Sequence, residues 1–281
     1  MATYIAAVSG GVDSVVLLDM LAKSDDKIIV AHVEHGIRDD SADDARFVRA
    51  LAKKYNCAFE QVSLRLGGNA SEQVARAGRY EFLLQLAKQY KATVVTAHHG
   101  DDLVETIAIN VRRGTGWRGV AVLSRQGIYR PLLPYSKADI YDYAMAHHLE
   151  WVEDKTNVDS RYLRNRIRMQ LRPRLQSRQR AAFFELRDKQ VQLVARINTE
   201  LAAILSQNQE LRYLITHTDT AAACELLGEA IYEATGTRPQ RPQLARASLA
   251  IKTAKPGAVH HVGDKIMLSF TTRDFSVKVL Q

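Results

Sequence analysis

The run Ser9-Gly10-Gly11-Val12-Asp13-Ser14 constrains this 281-residue chain more than any other stretch. It follows an apolar, strand-like segment, Tyr4–Val8, and opens a helix-like one that begins at Val15. Strand, glycine turn and helix start together make the geometry that receives phosphate. Glycines let the backbone approach an anion closely, and the amides of the helix start point at it with a favourable dipole. Ser9 and Ser14 add hydroxyl donors. Asp13 is the odd member, because a carboxylate beside phosphates is repulsive unless a cation bridges them, so the loop implies Mg²⁺. No Gly-x-x-x-x-Gly-Lys-Ser/Thr run occurs, which excludes the Walker-type loop.

The first 150 residues alternate strand and helix patterns. Strand expectations are Tyr4–Val8, Lys27–Val33, Ala58–Leu64 and Ala92–Ala97, each a short apolar run. Ser41 can cap a helix whose Ala45, Val48, Leu51, Ala52 and Tyr55 recur at three-to-four spacing, and Ser71 can cap another that runs to Tyr90. This alternation predicts an α/β fold, a doubly wound parallel sheet covered on both faces, with ligands at the carboxyl ends of the strands. The chemically interesting segments fall at those ends: Ser9 to Ser14, His32 to Arg38, and His98 to Glu105. We expect a catalytic domain over 1–180, a linker helix over 181–207 and a small α+β C-terminal domain over 208–281. The last holds helices near Thr220–Thr235 and Arg241–Lys252 and a hairpin-like pair, Lys265–Phe270 with Phe275–Leu280. The linker places Val194, Ile197, Leu201 and Ile204 at helical spacing.

Composition narrows the partners. A formal net charge of +8 favours a polyanion. Cys57 and Cys224 form no Cys-x-x-Cys pair, so neither a zinc knuckle nor an iron–sulfur site is expected, and the usage suits a reducing compartment. No apolar run reaches the ~18 residues that cross a bilayer, and the first strand begins too early to leave room for a signal peptide. We therefore expect a cytoplasmic protein with no membrane contact.

Three further segments carry chemistry. Thr96 to Thr106 leaves a strand and enters a helix, with Asp102 and Glu105 one turn apart on one face. Acids at a helix start suit its dipole, but three acids and two histidines exceed what a cap requires. Holding an ammonium group and holding Mg²⁺ both fit. Arg112 to Gly119 is basic and glycine-rich with one aromatic, and could surround a phosphate or stack a base on Trp117, which could equally be core. Finally, Arg161, Arg164, Arg166, Arg168, Arg172, Arg174, Arg178 and Arg180 crowd a stretch free of acids from Ser160 to Phe184. Planar, bidentate donors of this density suit nucleic-acid phosphates better than a merely solvated face.

Together these segments resemble one family, the tRNA(Ile)-lysidine synthetases of the N-type ATP pyrophosphatase (PP-loop) superfamily. The loop at 9–14 marks the superfamily. His35-Gly36-Ile37-Arg38, Ala75-Arg76 with Arg79-Tyr80, Thr96 to Glu105, Arg113 to Gly116, Arg130-Pro131-Leu132-Leu133 and Glu153 to Arg168 follow in the family's order, covering roughly residues 3 to 175. The resemblance implies that ATP adenylates O2 of the wobble cytidine in a CAU-anticodon tRNA(Ile), and that free L-lysine then displaces AMP. It implies that Ser9, Gly10, Gly11, Val12, Asp13 and Ser14 bind ATP, with Asp13 on Mg²⁺. By the same match His98, Asp102, Glu105 and Arg113 line the lysine and cytidine pocket, and Asp13, His98, Asp102 and Glu105 are catalytic. The arginines at 161, 164, 166, 168, 172 and 174 would contact tRNA. A tRNA-thiolating PP-loop enzyme is a rival, but its usual paired cysteines are missing. An RNA-binding module with a decayed ATP site is another, against which the intact acids argue. Nothing in the sequence sets the oligomeric state.

Overall fold

The computed structural model describes residues 1–34, 41–64, 72–153, 163–171, 175–207 and 210–280. The four expected runs become β1 (Thr3–Ala7), β2 (Lys27–Glu34), β3 (Ala58–Ser63) and β4 (Thr93–Val95), joined by β5 (Ile128–Tyr129). Every pairing is parallel, in the order β3-β2-β1-β4-β5. The fifth strand, at two residues, is too short to leave an apolar pattern. Between and after the strands lie α1 (Val12–Ala22), α2 (Ser41–Lys54), α3 (Glu72–Tyr90), α4 (Gly100–Arg112), α5 (Lys137–Ala146), α6 (Leu163–Leu171) and α7 (Ser177–Gln207). The caps expected at Ser41 and Ser71 concern side chains outside the described ones, as do His35 to Arg38.

The middle strand is apolar on both sides, as a sheet covered on two faces demands. Ala6 and Val8 join Val15, Leu18, Val48, Leu51 and Ile140 in one core, so α1, α2 and α5 share a face. Ile5 joins Ile29, Tyr80, Leu83, Leu86 and Val94 in the other core, beneath α3. Leu17, Leu18, Ile5 and Leu83 are fully buried, each contributing roughly 1.5–3 kcal/mol. The strand order reverses between β1 and β4, and a doubly wound sheet opens its crevice at such a switch point. The loops after β1 and β4, which hold Ser9 to Ser14 and His98 to Glu105, leave from that point.

The chain divides into two compact units: Met1–Ile109 with Leu123–Phe184, and Asn110–Val122 with Glu185–Gln281. The second contains α8 (Leu211–His217), α9 (Thr220–Thr235), α10 (Arg241–Thr253) and the antiparallel strands β6 (Val259–Val262), β7 (Ile266–Phe270) and β8 (Phe275–Val279) in the order β6-β7-β8. The Asp219 carboxylate caps α9 by accepting from the Ala221 and Ala222 amides, and Gly236 closes it at φ +67°. The core here holds Leu201, Ile215, Leu227, Ile231, Ile251 and Leu268. The segment 110–122 is tied in by charge. Arg118 Nε donates to Glu225 at 2.7 Å, Arg238 Nη2 reaches the same carboxylate at 2.8 Å, and Trp117 Nε1 donates to it at 3.3 Å. No described helix is long and apolar enough to cross a membrane.

Candidate active site

Gly10 leaves β1 at φ +93°, a conformation that side chains disfavour, and a Cβ there would touch Val48 at 3.4 Å and Phe47 at 3.5 Å. Its carbonyl accepts from the Val152 amide at 3.0 Å, so the turn is tied down from outside. Inside the turn, the buried Ser14 hydroxyl organises the backbone. Its Oγ accepts from the Ser9 and Gly10 amides, each at 3.2 Å, and donates to the Gly11 carbonyl at 2.8 Å. His32 Nδ1 donates to the Val8 carbonyl at 2.9 Å and steadies the end of the strand. Gly11 is the N-cap of α1 and offers no side-chain acceptor. The Ser14 and Val15 amides donate to the Gly11 carbonyl at 3.0 and 3.1 Å, which leaves the Val12 and Asp13 amides of the first turn without a side-chain cap, at the positive end of the helix dipole.

Helix α4 starts where a side chain would not fit. A Cβ on Gly100 would lie 3.0 Å from the Tyr135 carbonyl and 3.2 Å from that of Leu133. That close approach lets the buried Asp101 accept from the Lys137 amide at 3.2 Å and from Arg180 Nε at 3.0 Å. It also sets Asp102 and Glu105 on one face. Asp102 accepts from the His99 amide at 3.1 Å. The His99 ring, 2% exposed, places Nε2 3.4 Å from Asp102 and 3.9 Å from Asp13, while its Nδ1 is buried without a hydrogen-bond partner. Burial pushes the Asp102 carboxyl up, but the neighbouring His99 and His98 rings, the Arg164 guanidinium and the His99 amide outweigh it and hold the group below the usual carboxylate range.

The two histidines differ. His98 is half-buried, and its Nδ1 hydrogen-bonds the Thr96 hydroxyl at 2.9 Å. Burial lowers its pKa to about 3, Arg130, Arg79 and Arg76 add to that, and Asp102 opposes it. It is a neutral imidazole at physiological pH. His99 is the one that stands between the carboxylates of the two loops.

Of the arginine run, α6 brings Arg164 and Arg168 into this site. Arg168 forms a two-pronged pair with Glu105, at 2.8 and 3.1 Å, and lies 3.9 Å from Asp102. Arg164 lies 3.5 Å from Glu105 and donates to the Thr106 hydroxyl at 3.2 Å. Glu105 is 2% exposed, so these guanidiniums are counter-charges to a buried acid. Arg166 is exposed on the same helix, whereas Arg161, Arg172 and Arg174 lie outside the described residues. Arg113 is exposed in the segment 110–122, which belongs to the second unit.

Sequence reasoning missed Lys137. Its ammonium lies 2.6 Å from Asp13, across 124 positions of chain, and 4.9 Å from the Tyr141 ring. The contact exists because α5 packs beside α1 on one face of the sheet, and no local pattern signals it. His99, adjacent to the histidine singled out, was within reach of the pattern, since it precedes Asp102 by three residues.

The family model for the PP-loop domain matches residues 2–175. The chain belongs to the PP-loop family. Among curated proteins it is similar to tRNA(Ile)-lysidine synthase of Exiguobacterium sibiricum, 40% identical over 177 residues, covering 61% of this chain and 43% of that protein. It is also similar to tRNA(Ile)-lysidine synthase of Thermotoga maritima, 36% identical over 182 residues, covering 60% of this chain and 44% of that protein. The chain thus spans less than half the length of the curated relatives it matches. Among solved structures, the U34-tRNA thiolase NcsA from Methanococcus maripaludis shares the fold, with a TM-score of 0.57 at 16% identity over 69% of this chain and 73% of that one. Cys57 is half-buried in the first unit and Cys224 is buried in the second; burial raises the pKa of both thiols, the opposite of what a reactive thiolate needs.

Proposed function

We propose that this chain makes lysidine: ATP adenylates the wobble cytidine of tRNA(Ile) bearing the CAU anticodon, and free L-lysine then displaces AMP. The observation that carries the reading is the meeting of two loops at the sheet's switch point. An anion-receiving helix start lies on one side and the buried acids of α4 on the other, with His99 between Asp13 and Asp102. That arrangement supports a phosphate site beside a site for an ammonium. The names of the relatives supply the substrates.

The loop fits ATP with Mg²⁺. Among the described residues no three His, Cys, Asp or Glu side chains are arranged to hold a metal by themselves. This suits Mg²⁺, which is commonly held by one or two carboxylates together with substrate phosphates. Asp13 would supply the protein oxygen, and the ion would offset phosphate charge. The uncapped amides of α1 receive the phosphates, and Lys137 brings a second positive charge to the same place as pyrophosphate leaves. Adenylation matters because a pyrimidine carbonyl oxygen is a poor leaving group, whereas the oxygen of AMP is a good one.

In the second step the lysine side chain arrives as an ammonium and must lose a proton before it attacks C2. Asp102, held below the usual carboxylate range, accepts the ammonium's charge but is a weak base for its proton. Glu105 exchanges a guanidinium partner for the ammonium, and the proton passes by way of the α4 carboxylates to water as the amine attacks C2 and AMP leaves. His98, neutral throughout, offers a hydrogen bond to the base rather than a charge. The cytoplasm is the compartment where this chemistry meets its substrates. The decisive experiment is incorporation of labelled lysine into tRNA(Ile) with a CAU anticodon, with ATP and Mg²⁺. Incorporation that needs ATP supports the reading, and no incorporation with correctly folded protein and tRNA overturns it.

A further inference from the structure

Arg180 stands apart from the rest of the arginine run. It lies in the first turn of α7, within the first unit, and its Nε donates to the buried Asp101 at 3.0 Å. Its stem crosses the glycine that opens α4, since a Cβ on Gly100 would lie 3.2 Å from Arg180 Cδ. Asp101 is 6% exposed, and its two carboxylate oxygens are divided between two tasks. Oδ1 takes the guanidinium, and Oδ2 accepts from the Lys137 amide at 3.2 Å. That amide is one of those a helix start leaves without an intrahelical acceptor. Ser136 and Asp139 cap α5 reciprocally: the Ser136 hydroxyl accepts from the Asp139 amide at 3.1 Å, and the Asp139 carboxylate accepts from the Ser136 amide at 2.7 Å. That box leaves the Lys137 amide to Asp101. A second hydrogen bond, from the Gly100 amide to the Tyr135 carbonyl at 2.8 Å, runs the opposite way between the same two helix starts. The backbone of Lys137 is thus fixed by α4, while its side chain, 15% exposed, puts the ammonium 2.6 Å from Asp13.

We propose that Asp101 and Arg180 are positioning residues for the phosphate chemistry of the 9–14 loop, holding the Lys137 backbone so that its ammonium stays at the phosphate site. This rests on the ATP reading above. Lysine carries its charge at the end of a flexible stem, so the ammonium is aimed only as well as its backbone is held. A misplacement of about 1 Å at a group that binds a reacting phosphate can cost on the order of 10²-fold in rate. Asp101 serves because it accepts from two donors at once. Arg180 serves because a buried carboxylate needs a counter-charge to hold its place. Arg180 therefore acts on the nucleotide through Asp101 and Lys137, and not on RNA.

The test is calorimetric binding of ATP and of pyrophosphate, each with Mg²⁺, to the full chain, because a dissociation constant is not moved by a fraction of misfolded molecules. Lys137→Met should weaken pyrophosphate binding about tenfold, the scale of one charge-assisted hydrogen bond. Arg180→Met and Asp101→Asn should each weaken it about threefold to tenfold. Neither should weaken it further in the Lys137→Met background, because groups that act through one another do not add. Asp101→Asn keeps the shape of the side chain but has one acceptor where two are needed. A role in packing alone would leave that variant like wild type, and it serves as well if Arg180→Met melts low. Binding of an RNA hairpin with a CAU loop across a salt series should keep the wild-type slope in Arg180→Met. Losses that add in the Lys137→Met background overturn the proposal, as do variants that bind pyrophosphate as wild type does. A shallower RNA slope with pyrophosphate binding intact also overturns it and returns Arg180 to the arginines that seek RNA. A wild type that binds neither ATP nor pyrophosphate overturns the ATP reading itself.

Discussion

The Glu105–Arg168 pair separates two meanings of the arginine run. Its hydrogen bonds are 2.8 and 3.1 Å, and the Glu105 side chain is 2% exposed against 18% for Arg168. Replacing Arg168 with Met strips a buried carboxylate of its two-pronged partner. Breaking such a pair costs about 3–5 kcal/mol. Arg164, at 3.5 Å, offsets part of that, so about 2–4 kcal/mol is the expected loss. Glu105→Gln instead leaves Arg168, a longer and more exposed side chain that can turn toward water, and should cost about half as much. The double variant should be less destabilised than the sum of the two, by a coupling of about 1–3 kcal/mol. Urea denaturation of the four proteins, followed by a probe in the first unit, measures all of this. If Arg168→Met falls within about 0.5 kcal/mol of wild type, the level of ordinary surface changes, or the two losses simply add, then Arg168 is a solvated side chain free for phosphates and the counter-charge argument fails.

His98, held at about pKa 3 against about 6.5 in an unfolded chain, contributes stability that is whole above pH 6.5 and declines as pH falls toward 3. At pH 5 the loss is about 2 kcal/mol, so His98→Asn should lose less stability than wild type between pH 7.5 and 5, and equal losses would refute it. Ser14→Ala strands the Ser9 and Gly10 amides in the turn, and should cost about 1–3 kcal/mol together with ATP affinity, as a thermal melt and calorimetry would report. On the lysidine reading proposed above, Glu105→Gln should spare adenylation more than lysine transfer, so that adenylated tRNA accumulates in a quench assay, and equal loss in both half-reactions would point to a metal-binding role instead.

The sheet was legible because parallel strands buried on both faces are written as continuous apolar runs. Thr220–Thr235 and the pair Lys265–Phe270 with Phe275–Leu280 were legible for the related reason that their patterns are local. β5 was not, being two residues held in place by β4, and neither was β6, where His260 and His261 interrupt the apolar alternation. In the site, the one-turn spacing of Asp102 and Glu105 announced a shared face. What met that face was a matter of packing. The i,i+4 spacing of Arg164 and Arg168 showed that they act together, but a paired arginine and a phosphate-seeking arginine look alike in sequence. Lys137 meets Asp13 through the α1–α5 packing alone, so only three-dimensional structure reveals it.

The second unit is assembled from two lengths of chain, and the bond from Trp117 to Glu225 spans 108 residues. During synthesis at about 5–20 residues per second, roughly 5–20 s separate the emergence of these partners. The sheet core, whose strands end at Tyr129, can close well within that interval, while the 110–122 segment waits for α9. Production of the second unit is therefore timed by its own C-terminal half. A polypeptide ending between the two lengths carries Trp117 and Arg118 with nothing to receive them, and its aggregation during translation would report the wait.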